Sequence, residues 1–206
     1  MGELCPKKNI RNVVFDIGGV LLDFCPVRIL ETLFPDQPDL RDQLRLIVFQ
    51  SPGWLMMDRG ILTREEFLER IAHAHPELRE AARELLQTWE HHMPALPQGE
   101  SAMDMANSRG LNTFLLTNYQ AGPFETACHE HPFLRLTCGS LVSAHVHLLK
   151  PDPVIFRMMA HRFRLDVSET LFLDDSVPNV ESAMLCGYQA AVVRNGCTLD
   201  TLCACL

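Results

Sequence analysis

Four short runs of apolar and β-branched residues stand out along the chain: Ile10 to Phe15, Thr113 to Thr117, Thr170 to Leu173 and Ala190 to Val193. They alternate very little, as strands covered on both faces must. Between them the pattern turns helical. Asp152-Pro153 supplies an N-cap with proline at the first helical position, and Ile155, Met158, Met159 and Phe163 follow at helical spacing. Pro178 opens a further helix, which Gly187 closes. Strand alternating with helix beyond residue 110 predicts an α/β fold, with a parallel, doubly wound sheet in a three-layer, Rossmann-like core. Ligand-binding groups in such sheets gather at the carboxyl ends of the strands, and here the runs end in Asp16, Thr117-Asn118 and Asp174-Asp175.

The stretch from 24 to 95 follows another rule. Leu40 to Phe49, Glu65 to His73 and Leu78 to Trp89 are helical in period, and Thr63-Arg64-Glu65-Glu66 has capping-box spacing. An all-helical insertion placed directly after the first strand suits a lid over that strand's end. The expected division is a core of residues 1–23 and 96–206 with a helical cap of residues 24–95.

Composition narrows the class. Apolar residues at 47% and charged residues at 21% suit a folded domain with a sizeable core, and a net charge of −8 argues against nucleic acid as partner. No run approaches the roughly 18–20 apolar residues of a membrane span, and Met1 to Arg11 lacks the apolar stretch of a secretory signal. The eight cysteines are scattered and include no CxxC pair. The expectation is a cytoplasmic protein with reduced thiols, no membrane partner and an oligomeric state that the sequence leaves open. Three lysines stand against fifteen arginines, and Lys150 is the only one beyond Lys7 and Lys8. A chain that otherwise prefers arginine can need a compact ammonium in one tight place.

The strand-end residues fall into an ordered set: Phe15-Asp16-Ile17-Gly18-Gly19-Val20, then Leu116-Thr117-Asn118, then Lys150-Pro151-Asp152-Pro153, then Phe172-Leu173-Asp174-Asp175-Ser176 with Asn179. In this set the chain resembles the haloacid dehalogenase superfamily, in its subclass with a helical cap after the first motif, over residues 10 to 195. The resemblance implies a phosphoryl-transfer site. Asp16 would attack phosphorus and form an aspartyl phosphate, which divides one difficult hydrolysis into two easier steps. Asp16, the Gly18 carbonyl and Asp175 would hold Mg²⁺, with Asp174 as a further ligand or a neighbour. Thr117, Asn118 and Lys150 would bind the phosphoryl oxygens, and Asn179 would orient Lys150 or the acidic pair.

One departure matters. Most phosphatases of the superfamily carry a second aspartate two residues after the nucleophile, serving as general acid and then base, and Gly18 stands there instead. Loss of such a group typically costs a factor of about 10²–10⁴. Three readings stay open: a substrate with a good leaving group, a substitute such as Asp23, His145 or His147, or a protein that binds a phosphorylated ligand or a protein partner without turnover. The D-x-G-x-V form followed by Leu21-Leu22-Asp23 resembles a subgroup that includes α-D-glucose-1-phosphate phosphatases, which favours the first. The expected reaction is Mg²⁺-dependent hydrolysis of a small phosphorylated metabolite such as a sugar phosphate. In the cap, Trp54, Arg59 and Arg28 are candidate substrate contacts, an aromatic face and two guanidinium groups being able to stack on and clamp a small phosphate ester. Three His-x-His pairs, at 73/75, 129/131 and 145/147, read as ordinary histidines, since residues two apart share no helix face.

Overall fold

The computed structural model describes residues 10–206; Cys5, Lys7 and Lys8 lie outside them. After β1 (Asn12–Phe15) the chain leaves the sheet through α1 (Pro26–Leu33), α2 (Pro38–Leu44), α3 (Pro52–Asp58), α4 (Arg64–Ala74) and α5 (Arg79–Thr88), and α6 (Pro97–Ser108) returns it to β2 (Asn112–Thr117). Then follow α7 (Ala121–Glu130), β3 (Gly139–Val142), the single turn α8 (Ser143–Val146), α9 (Pro153–Phe163), β4 (Thr170–Asp174), α10 (Val177–Leu185), β5 (Gln189–Val192) and α11 (Thr198–Cys205). The five strands form one wholly parallel sheet in the order β3-β2-β1-β4-β5.

The weak alternation of the strands has its reason in this layering. On β1, Val13 and Phe15 pack into the core shared with α6, α11 and the inserted helices, while Val14 faces α9 and α10. Successive side chains point to opposite faces, and both faces are dry. Local signals also act as read. Thr63 Oγ1 accepts from the Glu66 N–H at 3.1 Å while Glu66 returns to the Thr63 N–H at 2.9 Å, and Asp152 Oδ1 caps α9 through the Val154 N–H at 2.8 Å. The periodic run to Phe49 is not one helix throughout, because after Leu44 it widens into a π-helical turn, Arg45–Phe49. An unexpected fifth strand, β3, sits at the edge of the sheet, its Gly139-Ser140 half too short of apolar side chains to be read as a strand.

Register brings the site together. Phe15 pairs with Leu115 on one side and Leu173 on the other, and Asp16 continues the ladder by donating its N–H to the Leu173 carbonyl at 2.9 Å. Asp16 therefore emerges between the ends of β2 and β4, at the point where the strand order reverses.

The inserted helices dock on the core at the end of α3. Arg59 Nε donates to the His147 carbonyl at 2.8 Å, and His147 Nδ1 lies 3.0 Å from the Arg59 carbonyl. Next to them the Ser143 hydroxyl donates to the Asp58 carbonyl. Gly60 has a φ of +71°, and a Cβ there would come within 2.4 Å of the Ala144 carbonyl oxygen. Only glycine allows so close a seam.

Candidate active site

Lys150 is the centre of the strand-end cluster. Its side chain is 1% exposed, and Nζ lies 2.8 Å from Asp16 Oδ1, 2.7 Å from Asp174 Oδ2 and 2.9 Å from the Leu116 carbonyl. No secondary structure holds it; Asn118 does. Asn118 Oδ1 accepts from the Lys150 N–H at 2.8 Å, and its Nδ2 donates to the Lys150 carbonyl at 3.0 Å. The Asn118 side chain is thus used to place the lysine, and what this residue offers a ligand is its main chain. Asp174 is fixed from every side, by Lys150, by the Ser176 N–H at 2.8 Å, and by Asn179 Nδ2 at 2.9 and 3.1 Å. Asn179 therefore orients the acidic pair through Asp174, with Thr117 on the wall beside it. The Thr117 hydroxyl has no partner among the described residues.

Asp16, Asp174 and Asp175 can bring one carboxylate oxygen each within 4.8 Å of one another. With Lys150 charged, three carboxylates against one ammonium leave two negative charges in a buried place, which is what a divalent cation with oxygen ligands requires. Both Asp174 oxygens already accept hydrogen bonds, so Asp16 and the more exposed Asp175 are the freer donors. Gly19 makes room for Asp175: its φ is +71°, and a Cβ would fall 2.3 Å from Asp175 Oδ2. Protonation follows the same crowding. Burial pushes the Asp16 carboxyl up to about 7, with Asp174 and Asp175 adding to the rise and Lys150 opposing it. Burial and Asp174 also raise Asp175. Burial alone would lower Lys150, but Asp16 and Asp174 outweigh it and hold the ammonium above its ordinary range.

Over this polar floor lies a cavity of about 220 Å³ roofed by aromatic side chains. Phe24 stacks on Trp54 with ring centres 6.1 Å apart, Trp54 meets Trp89 at 5.0 Å, and Trp89 meets Tyr119 at 5.8 Å. Phe24, Trp54, Asp58, Trp89, Met93 and Tyr119 share the lining with Asp16, Thr117, Lys150 and Asp175. The Trp89 indole N–H is buried and has no hydrogen-bond partner among the described residues. Trp54 is both packed, at 6% exposure, and part of the cavity wall.

Residues 10–187 match the haloacid dehalogenase-like hydrolase family. The chain belongs to this family. It is 28% identical over 199 residues to mouse acyl-CoA dehydrogenase family member 10, covering 90% of this chain but only 18% of that protein. With a D-ribitol-5-phosphate phosphatase of Bacteroides thetaiotaomicron it shares 26% identity over 196 residues, 91% of this chain and 93% of that one. Among solved structures, a wild-type family enzyme of the same bacterium, in complex with magnesium and inorganic phosphate, superposes with a TM-score of 0.67 at 20% identity, over 91% and 96% of the two chains. A dehalogenase superposes with a TM-score of 0.73 at 17% identity, over 91% and 86%. At such identities the structures speak for the shared fold.

As a hydrolase of the haloacid dehalogenase-like family, the protein places its motif residues on one cavity but not its expected cap arginines. Arg28 is exposed and pairs with Asp23, and neither lines the cavity. Arg59 spends its guanidinium on the His147 carbonyl at the cap seam. His147 answers Arg59, and His145 packs edge-on against Phe124 at 6.4 Å, so neither histidine reaches the cavity wall. Gly18 does line it, and a Cβ there would press on the Phe24 Cβ at 3.3 Å. The wall residues that sequence reasoning passed over are Phe24, Asp58, Trp89, Met93 and Tyr119. They carry no motif. Only the position of Asp58 beside Arg59-Gly60, among residues already singled out, could have pointed to one of them. No helix among the described residues is long and apolar enough to cross a membrane.

Proposed function

We propose that the protein is a Mg²⁺-dependent phosphatase of small phosphate monoesters, with a sugar or polyol phosphate as the substrate class. The observation that carries this reading is the buried cluster of Asp16, Asp174 and Asp175 around Lys150, with its surplus of two negative charges, on the floor of a small cavity. Asp16 is the nucleophile. Its oxygen bonds phosphorus as the ester oxygen leaves, and water then releases inorganic phosphate from the aspartyl phosphate. Lys150 counters charge on the transferring group from a position fixed before the substrate arrives, and the Thr117 hydroxyl and Asn118 main chain meet its oxygens. Asp16 and Asp175 would hold the cation with the Gly18 carbonyl, and Asp174 would brace Lys150. When bound, Mg²⁺ would supply charge stabilisation at phosphoryl oxygens and keep Asp16 ionised.

Size and roof support the substrate class. About 220 Å³ lies below the roughly 300–1,000 Å³ of sites for drug-sized ligands, which favours a small ester. Aromatic faces suit the C–H faces of a sugar, and the unpartnered Trp89 N–H suits a hydroxyl oxygen. The D-ribitol-5-phosphate phosphatase among the relatives is in keeping with a phosphorylated polyol. The test is phosphate release from a panel of aryl, alkyl, sugar and polyol phosphates, with Mg²⁺ or with EDTA, and with Asp16→Asn as control. Release that needs both Mg²⁺ and Asp16 is expected; absence of turnover on every ester, with binding of a phosphate analogue retained, contradicts the reading.

A further inference from the structure

Gly18 leaves the reaction without a proton carrier beside the nucleophile, and the cavity supplies a replacement from the other side. Among the described residues five titratable side chains line it: Asp16, Asp58, Tyr119, Lys150 and Asp175. Asp16 and Asp175 belong to the carboxylate cluster, and Lys150 is locked between Asp16 and Asp174. Burial, then the charges of Glu90 and Asp58, push the Tyr119 hydroxyl far above its ordinary range, and it donates to Met93 Sδ at 3.4 Å. Asp58 remains. It is 7% exposed and forms no ion pair among the described residues, and it is held at the roof by α3.

Its place is fixed by the seam between cap and core. The Ser143 hydroxyl that donates to the Asp58 carbonyl also accepts the Tyr119 N–H at 2.8 Å, and Tyr119 lies two residues beyond Thr117. The Arg59–His147 pair and the contact of Gly60 with Ala144 pin the residues that follow. A cap carboxyl is thereby tied to the loop that borders the phosphoryl seat. Around it stand Trp54 of α3, Tyr119 and Gln120 after β2, and Ser143 of α8; Glu90, nearby, is held by Arg64 at 2.9 Å. No cation faces it. Burial pushes the Asp58 carboxyl up to about 7, against the moderating influence of Gln120 and Trp54.

We propose that Asp58 is the proton carrier of the reaction, presented to the leaving group by the cap. As a carboxylic acid it gives its proton to the ester oxygen while the bond from Asp16 to phosphorus forms and the ester P–O bond breaks. As a carboxylate it then takes a proton from the water whose oxygen bonds phosphorus while the Asp16–phosphorus bond breaks. Alcohol and inorganic phosphate leave, and both aspartates return to their starting states. This rests on the phosphatase reading above. A carboxyl that titrates near neutrality can act in both directions there.

The test compares wild type with Asp58→Asn and Asp58→Glu on 4-nitrophenyl phosphate, whose leaving group needs no acid, and on a simple alkyl phosphate. Asp58→Asn is expected to lower kcat/KM for the alkyl ester about 10²-fold or more and to leave that of the aryl ester within about threefold. Its kcat on the aryl ester falls, with a burst of nitrophenol, because the second step has lost its base. Asp58→Glu recovers part of the alkyl activity. In wild type, without any substitution, alkyl kcat/KM should fall above about pH 7 while aryl kcat/KM does not. Equal losses on both esters without a burst, or no loss on either, overturn the proposal and leave the phosphatase standing. A wild-type protein that turns over neither ester overturns both.

Discussion

The floor and the roof of the cavity are built on opposite principles. On the floor, Lys150 and both oxygens of Asp174 are tied into hydrogen bonds and ion pairs, and the arrangement is complete but for positive charge. The roof is aromatic and leaves the Trp89 N–H without a partner among the described residues. An unsatisfied buried donor is costly, so this one suggests a group that the ligand brings. The contrast teaches a division of labour. On the proposed function, the floor would serve any phosphoryl group and the roof would decide which ester carries it.

Breaking the floor should give the largest effects. Asp16→Asn removes the proposed nucleophile and is expected to cut phosphate release by at least about 10³-fold on every ester alike, with the fold retained in circular dichroism. Lys150→Met should also abolish measurable turnover. It leaves two buried carboxylates without their counter-charge, and urea unfolding at pH 7 should show a loss of about 3–5 kcal/mol. The loss should shrink at pH 5, where protonation relieves the repulsion, and a loss independent of pH would count against the charge account.

Changes at the roof and its seam should be smaller and selective. Gly60→Ala pushes a Cβ into the Ala144 carbonyl and lifts the end of α3, so kcat/KM should drop about tenfold while a phosphate analogue still binds the floor. An equal loss of analogue binding would show that the two halves are not separable. A further effect is on stability. With its carboxyl raised from 3.8 to about 7, folded Asp58 keeps a proton that the unfolded chain has released, so its contribution is present at acid pH and lost as pH rises to about 7. Asp58→Asn has no such proton to lose. Thermal unfolding should show it gaining on wild type between pH 4.5 and pH 8, by on the order of 3 kcal/mol.

The same contrast explains what could be read from the sequence. Asp16, Thr117, Lys150 and Asp174-Asp175 each follow an apolar run or a cap signal, and a parallel sheet gathers strand ends at one edge, so local pattern and global topology agree there. The roof has no such rule. Trp54 and Trp89 lie at helical spacing whether they pack or bind, Phe24 lies outside any periodic run, and Asp58 acquires its meaning from Ser143, 85 residues away. Arg28 and Arg59 looked like clamps because guanidinium groups suit phosphate, but Asp23 and the His147 carbonyl take them first. β3 escaped for a related reason: a glycine-led edge strand is stabilised by its pairing with β2 and shows little in its own composition.

The most direct test of the central claim, that Asp16 carries the phosphoryl group, is a single turnover in ¹⁸O-water with excess enzyme, followed by mass spectrometry of both the product and the peptide that contains Asp16. Water attacking phosphorus puts the label in inorganic phosphate and leaves the Asp16 carboxylate unlabelled, and an acid quench during the turnover should catch a phosphoryl group on that peptide. Label in the Asp16 carboxylate, as attack on a carbon ester would give, or phosphate formed without any phosphorylated Asp16, would contradict the account.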